Sequence, residues 1–535
     1  MNWKLVLLRY GHVPLLIAAC FIVWQQSLSL VGDFQIDDAY ITFAFSKNLA
    51  SGNGPIYGYD MKVEGYSNFL WMVLVALGML FQFDALSTAR FLSHVALVGL
   101  LFATYRGAKC ISNKLSAALA VLALASCTDL VRAAQSGLET VAFATFVAAS
   151  VSAYLSETPS ARRWSTVWAA LAGLTRIDGF VFVALLAGLE ALRSIAATRS
   201  LTKRYFIWVA WGAGPLIAYW GWRFAYYGLP LPLPYYAKAS QTIAGASDGL
   251  SYLRAGILDL ALWAPVFLAA LGLPRPLDQR TTVLIALIAI LTGYVVYVGG
   301  DWMPMHRMLL PLLVPLWMLA SMGVRVLWLR TARRTMPRLV SRGFALVLVA
   351  LAALHMNQST IETSEEKTKV ALAAELSRHT LGLLEALPFV QATQRVPGEK
   401  LVTDYGGVFA WGTEASVIEM WGLCNRDIAL KGNTDGINGI YGKTCVPCYA
   451  DFDPDYFHLM VPLLKPEGAI KSRRQAISGV FQGPALNRVL NIDKRFVLGS
   501  VTRVADRKTF YFLEKKRAGL SYEGRSVGEL QVRYH

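Results

Sequence analysis

Charge is scarce in this chain. Of its 535 residues only 16% are Asp, Glu, Lys or Arg, and 55% are hydrophobic. An ordinary soluble domain carries about 25% charged residues, so a soluble enzyme could not hide this much apolar surface. Mean hydropathy is +0.43, and an aromatic content of 12% excludes a disordered chain. Other absences narrow the chemistry. No Gly-rich loop offers a cradle for nucleotide phosphates, and no Ser/His/Asp set suggests a triad hydrolase. No internal repeat supports the paired halves common in transporters. Cysteine is sparse, six in all. Cys445-Val446-Pro447-Cys448 lacks a second ligand pair at zinc spacing. With Cys424 it reads as one disulfide and a leftover thiol. A polytopic membrane protein remains.

Residues 1–355 hold 28 basic and 15 acidic side chains, and residues 356–535 hold 23 and 20. The chain therefore divides near 355 into a transmembrane domain and a polar C-terminal domain of 180 residues, long enough for its own core. In that tail, Lys367–Leu387 has helical amphipathicity, and Arg495–Gly499 and Thr509–Leu513 read as strands. The expected fold class is a polytopic α-helical membrane protein with a C-terminal soluble α/β domain. Its basic excess sits in short loops between apolar runs, which points to membrane orientation and away from nucleic acid.

A transmembrane helix needs about 20 apolar residues. Spans are expected near 11–31, 91–105, 115–130, 139–155, 164–175, 179–192, 205–226, 256–272, 282–298, 307–328 and 343–356. The first is long for a signal peptide and reads as an uncleaved anchor. Phe69–Phe83 reads as an interfacial or re-entrant helix, because counting it as a span spoils the loop charges that follow. With about eleven crossings, Lys4, Arg9, Arg106, Lys109, Lys114, Arg162, Arg163, Arg193, Arg199, Lys203, Arg204, Arg275, Arg280 and the basic run from Arg325 to Arg342 all fall on the cytoplasmic side. The amino end is then inside and the tail outside.

Acids at bilayer depth are costly and are functional candidates by default. Five outer-side clusters stand out. Loop 32–68 holds Asp33, Asp37, Asp38, Asp60 and Glu64, with Tyr66 and Asn68 in Val63-Glu64-Gly65-Tyr66-Ser67-Asn68. Then come Gln135–Thr140 with Glu139, Arg176-Ile177-Asp178-Gly179, Tyr226–Gly228 leading to Tyr235-Tyr236-Ala237-Lys238, and Gly299–Arg307 with Asp301, Trp302, His306 and Arg307. Asp37 or Asp38 could serve as a general base, and either also suits the start of a helix over 39–49. Lys238, His306 and Arg307 suit a phosphate or simple flanking of a helix end. Arg176 and Asp178 could form an internal ion pair.

Taken in order, these motifs resemble the GT-C glycosyltransferases, which use polyprenyl-phosphate sugars. Asp37–Ile41, Val63–Asn68, Ser136–Thr140, Tyr235–Lys238, Gly299–Pro304 and Met420-Trp421-Gly422-Leu423 more closely resemble the terminal β-1,2-arabinofuranosyltransferase family of mycobacterial and corynebacterial walls. Two departures are visible. The family usually has Arg-Pro-Glu/Asp-Gly where Arg176-Ile177-Asp178-Gly179 stands, and Thr-Asp where Cys424-Asn425 follows Leu423. The second lies in the outer domain and bears on the acceptor.

The resemblance implies attack by an acceptor hydroxyl on the anomeric carbon of a lipid-phosphate sugar, with inversion. Asp37 would be the base and Asp38 would orient it or the acceptor. Lys238, His306 and Arg307 would stabilise the leaving phosphate, and Glu64, Glu139 and Asp301 would bind sugar hydroxyls, with Tyr66, Asn68, Arg176, Asp178, Tyr236 and Trp302 as further substrate contacts. No cofactor is required by this chemistry, and a divalent cation is compatible with it. The implied partners are a polyprenyl-phosphate sugar, a surface glycan, lipid or protein acceptor, and membrane lipid. The implied location is the bacterial cytoplasmic membrane, with the active site and tail on the periplasmic side. Two rival readings are a flippase or transporter of lipid-linked saccharides and a non-catalytic glycan-binding assembly subunit.

Overall fold

The computed structural model describes residues 10–29, 34–238, 243–301, 303–329, 338–356, 364–433, 443–458, 464–466, 468–470, 472–478 and 483–535. Lys4, Arg9, Asp33, Trp302 and the basic residues Arg330, Arg333 and Arg334 lie outside the described residues. The chain forms two compact units. One comprises Met1–Phe34, Ala89–Trp222 and Gln241–Ala374, and the other Gln35–Thr88, Arg223–Ser240 and Glu375–His535.

The first unit is helical, and its helices start where short polar side chains satisfy free amides. Asn113 accepts from Ser116 N ahead of Lys114–Ala125. Thr158 accepts from Ala161 N ahead of Pro159–Thr175, with proline in the first turn, where its missing N–H costs nothing. Asp278 accepts from Thr281 N ahead of Gln279–Val298. Among the described residues four helices are long and apolar enough to cross a membrane: Ala85–Ile111, Asp178–Thr198, Gln279–Val298 and Leu310–Trp328. The count is six if each of two bent pairs is one span. Val13–Ser29, Thr140–Leu155 and Leu346–Met356 are shorter apolar helices.

Two expected spans are broken. The run at 115–130 becomes Lys114–Ala125 and Thr128–Gln135, bent by 57°. The run at 256–272 becomes the end of one helix at Asp259 and a new helix, Trp263–Gly272, bent by 80°. Proline explains the second break. Pro265 cannot donate to an i−4 carbonyl and would clash with it inside a continuous helix. The chain instead turns at Ala261, which takes φ +48°, and restarts so that Pro265 falls in a first turn. Helix Trp263–Gly272 then packs against Leu310–Leu329 at backbone distance. A Cβ on Gly323 would stand 1.8 Å from Leu268 O, and one on Gly272 would stand 2.3 Å from Gly323 N. Small residues at such crossings let apolar helices approach closely.

The second unit is built on a mixed sheet, with strands β1 Lys400–Thr403, β2 Ser416–Glu419, β3 Tyr456–His458, β4 Leu464–Pro466, β5 Phe496–Arg503, β6 Lys508–Lys515, β7 Arg525–Val527 and β8 Leu530–Tyr534. The order is β2-β1-β3-β6-β5-β8-β7, with β4 also pairing β6. β1 runs parallel to β2 and β3, and the remaining pairs are antiparallel. The strands expected at 495–499 and 509–513 are the central hairpin β5–β6. Gly499 faces Phe512 there, because a Cβ would lie 2.2 Å from the phenyl ring that covers it. The expected amphipathic helix extends over Ser364–Thr393. Cys445 and Cys448 form a disulfide, and Cys424 is a buried free thiol.

The early segment of this unit carries helix Asp37–Ala50 and the 12-residue helix Phe69–Leu80. At ~1.5 Å per residue the latter is roughly 18 Å long, well short of a bilayer core of about 30 Å. This segment is fastened to the sheet. Tyr57 is fully buried and donates to Gly406 O (2.5 Å), Tyr59 N donates to Ala415 O (3.2 Å), and Ser416 Oγ donates to Asp60 (2.6 Å).

Gly323→Leu is expected to force the two apolar helices apart and destabilise the protein by about 1–3 kcal/mol, as overpacking does. Gly293→Leu, where a side chain meets nothing within 4 Å, should be near neutral. Thermal unfolding of both variants in detergent checks this.

Candidate functional site

The acidic pair opens helix Asp37–Ala50, where a carboxylate suits the helix dipole. Its partner lies 370 residues away. Gly407 N and Val408 N donate to the two carboxylate oxygens of Asp37, at 3.1 and 2.8 Å. These amides begin the short helix Gly407–Gly412 that connects β1 to the parallel β2. A Cβ on Gly407 would stand 1.9 Å from Asp37 O, so only glycine allows the approach. Asp37 is thus oriented by backbone amides; the resemblance implied that Asp38 would orient Asp37 or the acceptor. Burial raises the Asp37 carboxyl to about 6, the amide bonds pull the other way, and Asp38 adds to the rise.

Two further carboxyls belong to this group. Asp404 follows β1 and is raised to about 7, chiefly by burial, with Asp37 contributing. Glu419 ends β2 and accepts from Trp421 N (2.6 Å) and from Leu423 N (2.8 Å). Its burial still carries it up to about 8, with Asp38 contributing. Tyr57 and Tyr405 lie within electrostatic reach of Asp37, and burial pushes their hydroxyls above the ordinary tyrosine range.

Glu64 is buried and bound by Arg223, whose Nε donates to Oε1 at 2.9 Å and whose Nη2 binds Oε2. Arg223 also reaches Pro230 O at 2.5 Å, and Leu233 N donates to Glu64 O at 2.9 Å, so the pair anchors helix Leu233–Lys238. That helix carries Tyr236, packed by Leu233, Ala237 and Ala429, and Lys238, which is half-buried. Tyr66 and Tyr227 join hydroxyls at 3.1 Å, and Asn68 donates to Thr42 Oγ1 at 3.1 Å. Gly65 is glycine because Cys424 Sγ would lie 2.3 Å from a Cβ there. Asn425, one of the departures, caps helix Arg426–Lys431 by accepting from Ile428 N, a task an Asp would also perform.

In the helical unit, Arg176 joins Glu139 (2.7 Å) and Asp178 (2.9 Å), and Tyr294 donates to Asp178 at 2.7 Å. The helices on either side of Arg176 meet closely, since a Cβ on Gly179 would stand 2.5 Å from Gly173. Asp301 pairs with Arg307, and Arg307 lies within electrostatic reach of Arg176 and Glu139. His306 instead binds Asp259 through Nε2 at 2.5 Å. Met305 and His306 both take positive φ, +79° and +45°, an uncommon backbone that costs energy and clusters at functional sites.

The expected site residues thus fall into two sets. Asp37, Asp38, Glu64, Tyr66, Asn68, Tyr236 and Lys238 belong to the sheet-containing unit. Glu139, Arg176, Asp178, Asp301, His306 and Arg307 belong to the helical unit. Sequence reasoning missed Arg223, Asp259, Tyr294, Asp404, Glu419 and the amides at 407 and 408. Arg223 carried a signal, as a charge inside the apolar run 205–226. Among the described residues no three His, Cys, Asp or Glu side chains come together as metal ligands would.

No family model matches the chain. Over 259 residues it is 29% identical to the terminal β-(1→2)-arabinofuranosyltransferase of Mycobacterium tuberculosis. That match covers 44% of this chain and 40% of the relative, so the chain matches less than half of that relative's length. Among solved structures it is similar to ArnT from Cupriavidus metallidurans bound to undecaprenyl phosphate, with TM-score 0.55 and 14% identity over 78% of this chain and 87% of that one. It is also similar to the oligosaccharyltransferase of Archaeoglobus fulgidus, with TM-score 0.55 and 11% identity over 96% and 75%. The mycobacterial arabinofuranosyltransferase AftD gives TM-score 0.51 and 14% identity over 97% and 41%. At these identities the structural likeness to the three proteins is one of fold.

Two outcomes are expected. Removing one partner of the buried Arg223–Glu64 pair, as in Arg223→Met, should cost about 3–5 kcal/mol, and the double variant with Glu64→Leu should recover much of it. Denaturant unfolding of the three variants measures this. Glu419 and Asp404 have carboxyls raised in the folded state, so their contribution favours folding below the unfolded carboxyl range and is lost as pH rises through 7 and 8. The unfolding midpoint should therefore fall between pH 5 and pH 8.5, and Glu419→Gln should flatten that fall.

Proposed function

We propose that this protein is an integral-membrane glycosyltransferase that moves a sugar, arabinofuranose being the best-supported choice, from a polyprenyl-phosphate donor to a surface glycan, lipid or protein acceptor. The observation that carries the reading is the Asp37 carboxylate. It is half-buried, held by two backbone amides, and raised to about 6. A general base works best when its pKa lies near the working pH, and a fixed orientation lets it receive a proton without reorganisation. The partial sequence match to a terminal arabinofuranosyltransferase and the fold shared with ArnT support the choice of donor class and sugar.

In this reading the acceptor hydroxyl oxygen forms a bond to the anomeric carbon from the face opposite the phosphate. Its proton passes to Asp37 as the carbon–phosphate-oxygen bond breaks, and polyprenyl phosphate leaves with the electron pair. Inversion follows from the single displacement. Arg307, His306 and Lys238 are the cations assigned to the departing phosphate. Glu139, Asp301 and Glu64, each paired with an arginine in its own unit, are assigned to sugar hydroxyls through their remaining lone pairs. Tyr66, Asn68, Arg176, Asp178, Tyr236 and Trp302 complete the proposed binding set. The proposed topology has about eleven crossings in residues 1–355, the amino end in the cytoplasm, and 356–535 as an outer α/β domain at the periplasmic face of a bacterial cytoplasmic membrane.

Asp37→Ala should abolish transfer in membranes supplied with a lipid-phosphate sugar while protein levels hold, and unchanged turnover would refute the base assignment. Because Asp37 must be ionised to accept a proton, wild-type transfer should rise as pH climbs through about 6 and then level. Mass analysis of surface glycans with and without the protein should show one missing terminal residue, which identifies sugar and acceptor together.

A further inference from the structure

A second charged group in the helical unit plays no part in the reaction just described. Arg162 lies in the first turns of Pro159–Thr175, and Glu190 and Arg193 lie in the last turns of Asp178–Thr198. At ~1.5 Å per residue this end is roughly 20 Å along those helices from Arg176 and Asp178. Glu190 accepts from Tyr154 at 3.1 Å. Its other interactions are with two guanidinium groups, Arg162 at 3.6 Å and Arg193 at 3.8 Å. Both distances exceed a good hydrogen bond. Arg162 Nε and Arg193 Nη1 are buried N–H groups with no hydrogen-bond partner.

The charges do not balance. Two guanidinium groups share one carboxylate, and the side chains of Arg162 and Glu190 are each only 16% exposed. A buried positive charge without a paired anion is costly, and so is an unsatisfied buried N–H. The surroundings add to the excess. Arg163, Arg199, Lys203 and Arg204 lie at the same helix ends and are exposed. The connecting turn is pinned rather than loose. Ser194 Oγ donates to Ser200 O and accepts from Thr202 N, and Trp208 donates to Arg162 O at 3.0 Å. Around this rim Trp164, Leu192 and Phe206 are exposed, at 56%, 67% and 57%. Aromatic and aliphatic side chains beside cations are the pattern of a membrane–water boundary.

We propose that this end of the helical unit is a binding site for a phosphate group, taken from the headgroup of an anionic phospholipid in the leaflet opposite the transfer chemistry. The guanidinium groups of Arg162 and Arg193, 16% and 33% exposed, would donate to the phosphate oxygens, a geometry for which they are suited. The added anion brings the Arg162–Glu190–Arg193 group to neutrality, and Arg163, Lys203 and Arg204 supply the longer-range attraction of a basic juxtamembrane cluster. Trp164 and Phe206 would lie along the acyl chains. The choice of leaflet rests on the membrane orientation given under Proposed function. The binding itself does not, so its failure is separable from failure of the transferase reading.

The full-length protein in detergent is titrated with phosphatidylglycerol, with phosphatidylcholine, and with inorganic phosphate, reading bound lipid by native mass spectrometry and the unfolding midpoint in parallel. The wild type should retain phosphatidylglycerol over phosphatidylcholine. Arg162→Gln combined with Arg193→Gln should weaken that retention by about tenfold or more, tenfold being the value of one charged hydrogen bond. Glu190→Gln removes the competing carboxylate and should bind at least as tightly, a result that simple disruption of the fold would not give. A midpoint shift with inorganic phosphate that is lost in the double variant supports the site and identifies free phosphate as a second source. Equal retention of the two lipids by the wild type, or weaker retention in Glu190→Gln, overturns the proposal. Transfer activity in the double variant should stay at the wild-type level.

Discussion

A single carboxylate meeting two backbone amides organises the sheet-containing unit. Asp37 opens a helix near the start of the chain, and Gly407 and Val408 open another far along it. Their union closes a separation of 370 residues. Glycine at 407 is what permits it, since any side chain would strike the Asp37 carbonyl. Ordinarily two amide donors would hold a carboxylate well ionised. Here burial outweighs them, so the same contact that fixes the geometry also leaves the group close to its titration point. Structural fastening and proton-accepting capacity thus come from one interaction.

The charged motifs of the helical unit follow a different economy. Glu139, Arg176 and Asp178 form one chain of opposite charges, Asp301 takes Arg307, and His306 takes Asp259. Arg176 and Arg307 are each brought into apolar surroundings together with an acid, which limits the desolvation cost. The arrangement is rigid for the same reason, because moving any member exposes its partner. Glycines at 173, 179 and 323 let the surrounding helices close tightly enough to hold it.

Much of this was legible in the residues, and the failures have physical causes. Apolar runs located the helices because hydrophobic length is a strong local signal. The break at Ala261 was missed because its cause, Pro265, lies four residues downstream inside an otherwise unbroken apolar run. The hairpin β5–β6 was read because its strands are long and rich in aromatic and β-branched residues. The three- and four-residue strands β1, β2 and β3 leave no pattern of comparable length. Asp37 and Glu64 were found as acids in unusual places. Their partners were not, because a backbone amide has no sequence signature and Arg223 sits 159 residues from Glu64. One expectation of the cysteines was met in outline, with one disulfide and one thiol, and the structure supplies the pairing.

The sheet-containing unit is assembled from three stretches that are far apart along the chain. During synthesis the stretch Gln35–Thr88 leaves the ribosome first, and roughly 290 residues must follow before Glu375 appears. At translation rates of about 5–20 residues per second that is a delay on the order of tens of seconds. Throughout it, the helix Asp37–Ala50 has neither the amides that bind its first carboxylate nor the strands that cover Tyr57. The carboxylate that opens the candidate site therefore waits for residues 407 and 408 before its amide partners exist.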